Sequence, residues 1–190
     1  MIGGSDLIIH LLKGILSVSF TAIVIKLMDD FLDEVIEVNR GILPYSLLFF
    51  SVAVSLEPSW AVTFFFASYA IGMADDLRWK LPLSLTAFQE SIIVLAIGSL
   101  VFGWFEMLTS FLLILSIQII DDFMDQEIDL IEGRWNIIRK YGRVEAITFA
   151  AGMILLSIRF VPLKTLCTTF ATAFIWVGEY FLNQHNSKKR

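Results

Sequence analysis

Three times along this chain, at equal intervals, a long apolar run ends in a pair of aspartates: Asp29-Asp30, Asp75-Asp76 and Asp121-Asp122. This pattern leaves few folds open. Apolar runs of about 15–20 residues bounded by charge have the length of helices, whereas a membrane β-barrel would show alternating segments of about ten residues. Seven such runs are read here: Leu7–Met28, Ile42–Leu56, Trp60–Ala74, Leu83–Phe102, Phe105–Ile120, Val144–Ile158 and Leu163–Leu182. Hydrophobic residues make up 57% of the chain and mean hydropathy is +0.76, well above the roughly 45–50% apolar content of soluble domains. The sequence therefore predicts an all-α, polytopic membrane helical bundle built from repeated helical hairpins. Residues 1–182 form one transmembrane helical domain in this reading, and 183–190 a basic cytoplasmic tail.

Each repeat reads as helix, Asp-Asp, loop and returning helix. An even number of spans per repeat makes the repeats parallel in the membrane, so all three acidic loops share one side. That side also carries Arg40, Arg78, Lys80, Arg134, Arg139, Lys140, Arg143, Lys188, Lys189 and Arg190, against Lys13, Arg159 and Lys164 on the other. The excess of Lys and Arg places the acidic loops and the C-terminus in the cytoplasm and the N-terminus outside. The single cysteine, Cys167, lies in the last run and reads as a small packing residue.

In the first and third repeats the acidic residues continue. Asp30, Asp33 and Glu37, like Asp122, Asp125 and Asp129, fall at offsets that share one face of a helix. Carboxylates crowded beside hydrocarbon repel one another and are costly unless a cation compensates. The middle loop is basic instead, with Arg78 and Lys80 after Asp75-Asp76. Two acidic loops and one basic loop suit a divalent cation and a polyanion held together, since Mg²⁺ takes carboxylate and phosphate oxygens while Arg and Lys grip phosphate directly. The basic pair serves equally as topology determinant and partner for Asp75 or Asp76. Lys26 lies one turn before Asp30, where it pairs with the aspartates or binds diphosphate; Gln118 lies one turn before Asp122, where it orients that carboxylate or binds acceptor. Glu90, inside the fourth run, is expected to avoid lipid.

These residues resemble the UbiA-type intramembrane prenyltransferase superfamily, whose loops carry N-D-x-x-D-x-x-x-D and D-x-x-D-x-x-x-D. Asp30, Asp33 and Glu37 match the first motif, with Asp29 at the Asn position; Asp122, Asp125 and Asp129 match the second. The similarity continues through Glu127, Gly133, Asn136, Ile137 and Tyr141-Gly142-Arg143. The resemblance implies a central cavity open to lipid and two Mg²⁺ ions on the diphosphate of an isoprenoid donor, transferred to a lipophilic acceptor. On this reading Asp30, Asp33, Asp122 and Asp125 are catalytic. Asp29, Asp30, Asp33, Glu37, Asp121, Asp122, Asp125 and Asp129 ligate metal, and Lys26, Arg78, Lys80, Gln118, Arg139 and Lys140 bind substrate. The partners expected are a prenyl diphosphate, the acceptor, the bilayer and a second copy of the chain, with no nucleic acid.

Three alternatives stay open. Gly72-Met73-Ala74-Asp75-Asp76 is similar to a segment of polyprenyl-phosphate sugar-phosphate transferases. A divalent cation carrier would use the acidic clusters as an entry site. A catalytically inactive UbiA-like membrane protein would keep the binding residues without turnover.

Overall fold

The apolar runs become helices. The computed structural model describes residues 4–32, 42–73, 85–132 and 136–187; helices account for 94% of these, and no strand occurs among them. In chain order they are α1 (Gly4–Leu32), α2 (Ile42–Leu56), α3 (Pro58–Gly72), α4 (Ala87–Phe102), α5 (Trp104–Met124), α6 (Gln126–Glu132), α7 (Ile137–Tyr141), α8 (Arg143–Phe160) and α9 (Pro162–Ser187). Each expected run lands on one of them, and local chemistry sets the ends. Pro58 and Pro162 open α3 and α9 at the position where a missing N–H goes unnoticed. A capping box starts α4: the Gln89 N–H donates to Thr86 Oγ1 at 3.3 Å and the Thr86 N–H to Gln89 Oε1 at 3.0 Å. Gly103, between α4 and α5, and Gly142, between α7 and α8, hold φ of +93° and +97°, a region that residues with a Cβ avoid.

Two helical segments, Asp6–Met28 and Trp104–Met124, are long and apolar enough to cross a membrane. At 1.5 Å per residue the second spans roughly 30 Å, the thickness of a hydrocarbon core. Leu43–Leu56 and Ala87–Phe102 are apolar but shorter.

The chain divides into two compact units, Met1–Ala61 with Leu166–Arg190, and Val62–Thr165. In the first, α1 packs on α2 through small residues. Ser17 is fully buried and its hydroxyl donates to the Ala53 carbonyl at 2.9 Å; Thr21 donates to the Ser17 carbonyl, also at 2.9 Å. Phe20 stacks on Phe49 with ring centroids 5.7 Å apart. Gly14 is dictated by close approach, since a Cβ there would lie 2.5 Å from the Trp60 ring and 3.1 Å from Cys167 Sγ. Cys167 is buried in this contact, as a small packing residue should be.

In the second unit α5 is central, packed against α4 and α8. Ile119, Ile138, Ala146, Ala150 and Met153 form an apolar cluster that joins α5, α7 and α8. The opposite end of α5 holds a polar cluster. Lys164, in the first turn of α9, is 2% exposed. Its ammonium donates to Glu106 Oε1 at 2.5 Å, Ser110 Oγ at 2.7 Å and the Glu106 carbonyl at 3.2 Å, and lies 5.0 Å from the Phe64 ring centroid. Ser110 in turn shares a 2.6 Å hydrogen bond with Thr63. Residue 164 is helical, as the run from Leu163 predicts, but its partner is remote in sequence, and local pattern does not show it.

Hydroxylated side chains share the interior with apolar ones such as Val18, Phe64 and Ile119. Ser17, Thr21, Ser46, Thr63, Ser110 and Ser116 are buried, while Leu47, Leu100, Val101, Leu155 and Phe174 are exposed. Helices that pack in lipid meet through small and hydroxylated residues in this way, whereas large exposed apolar patches are uncommon on soluble monomers.

Removing one partner of the buried ion pair leaves an uncompensated charge. Lys164→Met is expected to lower stability by about 3–5 kcal/mol, and Lys164→Met combined with Glu106→Leu to recover most of that loss. Unfolding of the detergent-solubilised protein checks both.

Candidate functional site

Asp121 and Asp122 occupy the last turn of α5, which contains no basic residue. Peptide dipoles accumulate partial negative charge there, so carboxylates at this end require compensation. For Asp122 the compensation is visible. The residue is 8% exposed; its Oδ2 accepts the Ile137 N–H at 2.8 Å, and its Oδ1 accepts Gln118 Nε2 at 3.1 Å. Gln118 therefore orients the carboxylate, one of the two roles its position one turn earlier suggests. Asn136, 3% exposed, completes the arrangement. Its Nδ2 donates to the Asp122 carbonyl and to Asp129 Oδ2, both at 2.7 Å, while its Oδ1 accepts the Ile138 N–H at 2.9 Å and caps α7.

Asp122, Asp125 and Asp129 do not share one face of a continuous helix, as their offsets predict. Helix α5 stops at Met124, Asp125 sits at the break with φ −94° and ψ 7°, and α6 begins at Gln126. Asn136 supplies a physical reason. It takes the Asp122 carbonyl, which in an unbroken helix would accept from the N–H of residue 126. On either side of the break the helical bonds persist, from the Asp125 N–H to the Asp121 carbonyl and from the Asp129 N–H to the Asp125 carbonyl, each 2.9 Å. The chain therefore bends here. The three aspartates end in different environments: Asp122 is buried, Asp129 half-buried and Asp125 exposed, with both neighbours close enough to act on Asp122 electrostatically.

The remaining expected residues distribute as follows. Asp29 and Asp30 fall in the last turn of α1, and Asp121 is half-buried at the end of α5. Asp33, Glu37, Asp75, Asp76, Arg78 and Lys80 lie outside the described residues. Lys26 is exposed on α1, and Arg139 and Lys140 are exposed on α7. Among the described residues no three His, Cys, Asp or Glu side chains come together as a metal-holding group. Asp129 instead spends one oxygen on the Asn136 amide, and Asp125 faces solvent at the break.

The sequence places Asn136 and Arg143 in the extended similarity, and Arg143 among the topology-setting cations, but gives neither a contact at the site; the Arg143 guanidinium lies 4.6 Å from the Phe123 ring centroid beside the same helix end. Asn immediately before the apolar pair Ile137-Ile138 is an N-cap signal that could have identified the first. Glu90 is half-buried and accepts a hydrogen bond from the Tyr69 hydroxyl. Two apolar grooves, of about 290 and 220 Å³, lie around Trp104 and Leu108 at the far end of α5 and are lined by no acidic residue.

No protein-family model, curated protein or solved structure matches this chain.

Asp122 and Asp125 are expected to separate experimentally. Asp122→Ala frees the Ile137 N–H and costs about 1–3 kcal/mol locally. That raises hydrogen exchange at Ile137 roughly 10- to 100-fold at about 1.4 kcal/mol per decade. Asp125→Ala leaves exchange at Ile137 at the wild-type rate.

Proposed function

We propose that this chain is a multi-pass membrane protein that transfers an isoprenoid chain from a prenyl diphosphate to a lipophilic acceptor, with two Mg²⁺ ions on the diphosphate. One observation carries the reading: a membrane-length apolar helix ends in a set of carboxylates whose geometry is fixed by dedicated amide donors, Gln118, Asn136 and the Ile137 N–H. Acids that served only as a solvated helix end would not require buried partners. The likeness of both acidic motifs to the prenyltransferase pattern gives the cation its substrate. Hydroxylated helix contacts and large exposed apolar side chains support several membrane spans around a cavity, and the distribution of Lys and Arg supports acidic loops and C-terminus on the cytoplasmic side.

In this proposal Asp125 and Asp129 offer metal-facing oxygens, Asp122 organises them from the helix end, and Asp121 adds negative charge beside them. Asp29, Asp30, Asp33 and Glu37 supply the second set, on the strength of the sequence repeat. Bound Mg²⁺ would neutralise the departing diphosphate. Lys26, Arg78, Lys80, Arg139 and Lys140 add fixed or mobile positive charge for the same phosphates. Apolar walls exclude water from the ionising prenyl chain, so that the acceptor intercepts it. A second copy of the chain would complete walls that a short bundle leaves open.

Purified protein in lipid nanodiscs, given Mg²⁺ and a labelled prenyl diphosphate, is expected to release diphosphate. Asp30→Asn, Asp125→Asn or chelation of the metal is expected to abolish that release. Release unchanged by both substitutions would overturn the site. Binding without release would identify a non-catalytic partner, and Mg²⁺ flux into liposomes without prenyl substrate would favour a carrier.

A further inference from the structure

We infer that the start of α5, at the opposite end from the acidic motif, binds one diacyl phospholipid with an anionic headgroup. A hydrocarbon chain lies in each of the two grooves there, and the phosphate sits at the helix end. The inference rests on the membrane reading above and is independent of prenyl transfer.

The two grooves share Trp104 and Leu108, so these side chains form a ridge between them. Leu95 of α4 borders one groove and Leu156 of α8 the other. Two apolar channels with a common ridge match two chains that leave one headgroup, whereas a single-chain ligand would fill only one. Trp104 is 69% exposed, and the Phe105 ring meets Trp104 at 5.8 Å and Phe160 at 6.0 Å between centroids. Aromatic side chains gather in this way at headgroup level.

Polar groups select a phospholipid over plain hydrocarbon. Ser157 lines the groove beside α8, is 1% exposed, and has no hydrogen-bond partner for its hydroxyl among the described residues. A buried hydroxyl without a partner is costly, and a lipid ester just below the headgroup brings the acceptor it lacks. At the helix end the charge is positive. No side chain caps α5, whose N-cap is Gly103, so its first N–H groups are left for an anion. Glu106, the acid of that first turn, is paired with Lys164. With those two charges cancelling, Arg159, exposed in the last turn of α8 beside Phe160, sets the sign.

The probe is a phospholipid brominated in the upper part of its chains, titrated as phosphatidylglycerol or phosphatidylcholine into vesicles of unlabelled phosphatidylcholine carrying the full chain. Bromine quenches indole on contact, and the quenching that disappears in Trp104→Phe reports the ridge. That portion is expected at about five-fold lower mole fraction of phosphatidylglycerol than of phosphatidylcholine. Arg159→Gln is expected to remove most of this preference. Ser157→Ala, which breaks no hydrogen bond among the described residues, is expected to raise the required fraction of both lipids roughly two- to ten-fold. Equal requirement for the two lipids in the wild type overturns the anionic site. A preference undiminished in Arg159→Gln overturns the headgroup placement, and unchanged titrations in Ser157→Ala overturn the seating of the ester. In vesicles made wholly of brominated phosphatidylcholine, quenching of Trp104 is expected whether or not the site is selective. Its absence there overturns the membrane reading together with the lipid site, whereas quenching there without preference in the titrations overturns the lipid site alone.

Discussion

Polar groups withdrawn from water must be satisfied within the chain, and that constraint shapes every contact of consequence here. It selects helices, whose backbone bonds are internal, wherever the sequence is apolar. It also explains why the helices meet through Ser17, Thr21, Thr63 and Ser110, hydroxyls that find carbonyls or one another. At one end of α5 the same requirement gathers Glu106, Ser110 and Thr109 around Lys164. At the other it gathers Gln118, Ile137 and Asn136 around Asp122. One helix thus carries a buried ion pair at its start and an amide-bonded carboxylate at its finish.

Local sequence reasoning reaches as far as local physics does. Apolar runs are properties of neighbouring residues, and they located seven helices to within about five positions, whereas the short α6 and α7 carry no such run. The offset of Gln118 from Asp122 is also local, and the hydrogen bond is present. The Lys164–Glu106 pair and the Asn136 bridge connect residues that are distant in sequence, and their polarity pattern resembles that of ordinary loop residues. The bend at Asp125 was illegible for a related reason. No Gly or Pro marks it, because the competitor for the Asp122 carbonyl comes from residue 136.

Three aspartates that look interchangeable in the motif have been given different tasks by burial alone. Asp122, buried with donors on both oxygens, organises the helix end and fixes the start of α7. Asp129, half-buried, keeps one oxygen under Asn136. Asp125, exposed at the bend, is the most available to a ligand arriving from solvent. A motif read as a set of equivalent carboxylates overlooks this gradient, which separates the oxygens already committed to the fold, on Asp122, from those left toward solvent, on Asp125.

The repeat is therefore not a duplicated site. The offset that places Gln118 before Asp122 places Lys26 before Asp30, and the offset that places Asn136 after Asp122 places Pro44 after Asp30. A proline side chain donates nothing, so the first motif lacks the counterpart of the Asn136 bridge at that register. A lysine in place of a glutamine puts permanent positive charge within one helical turn of the first carboxylates, where the second copy has a neutral amide. In sequence the two acidic helix ends therefore differ in the group set one turn before them, a cation in the first repeat and a neutral amide in the second, so equal spacing of the aspartates does not make their electrostatic settings equal.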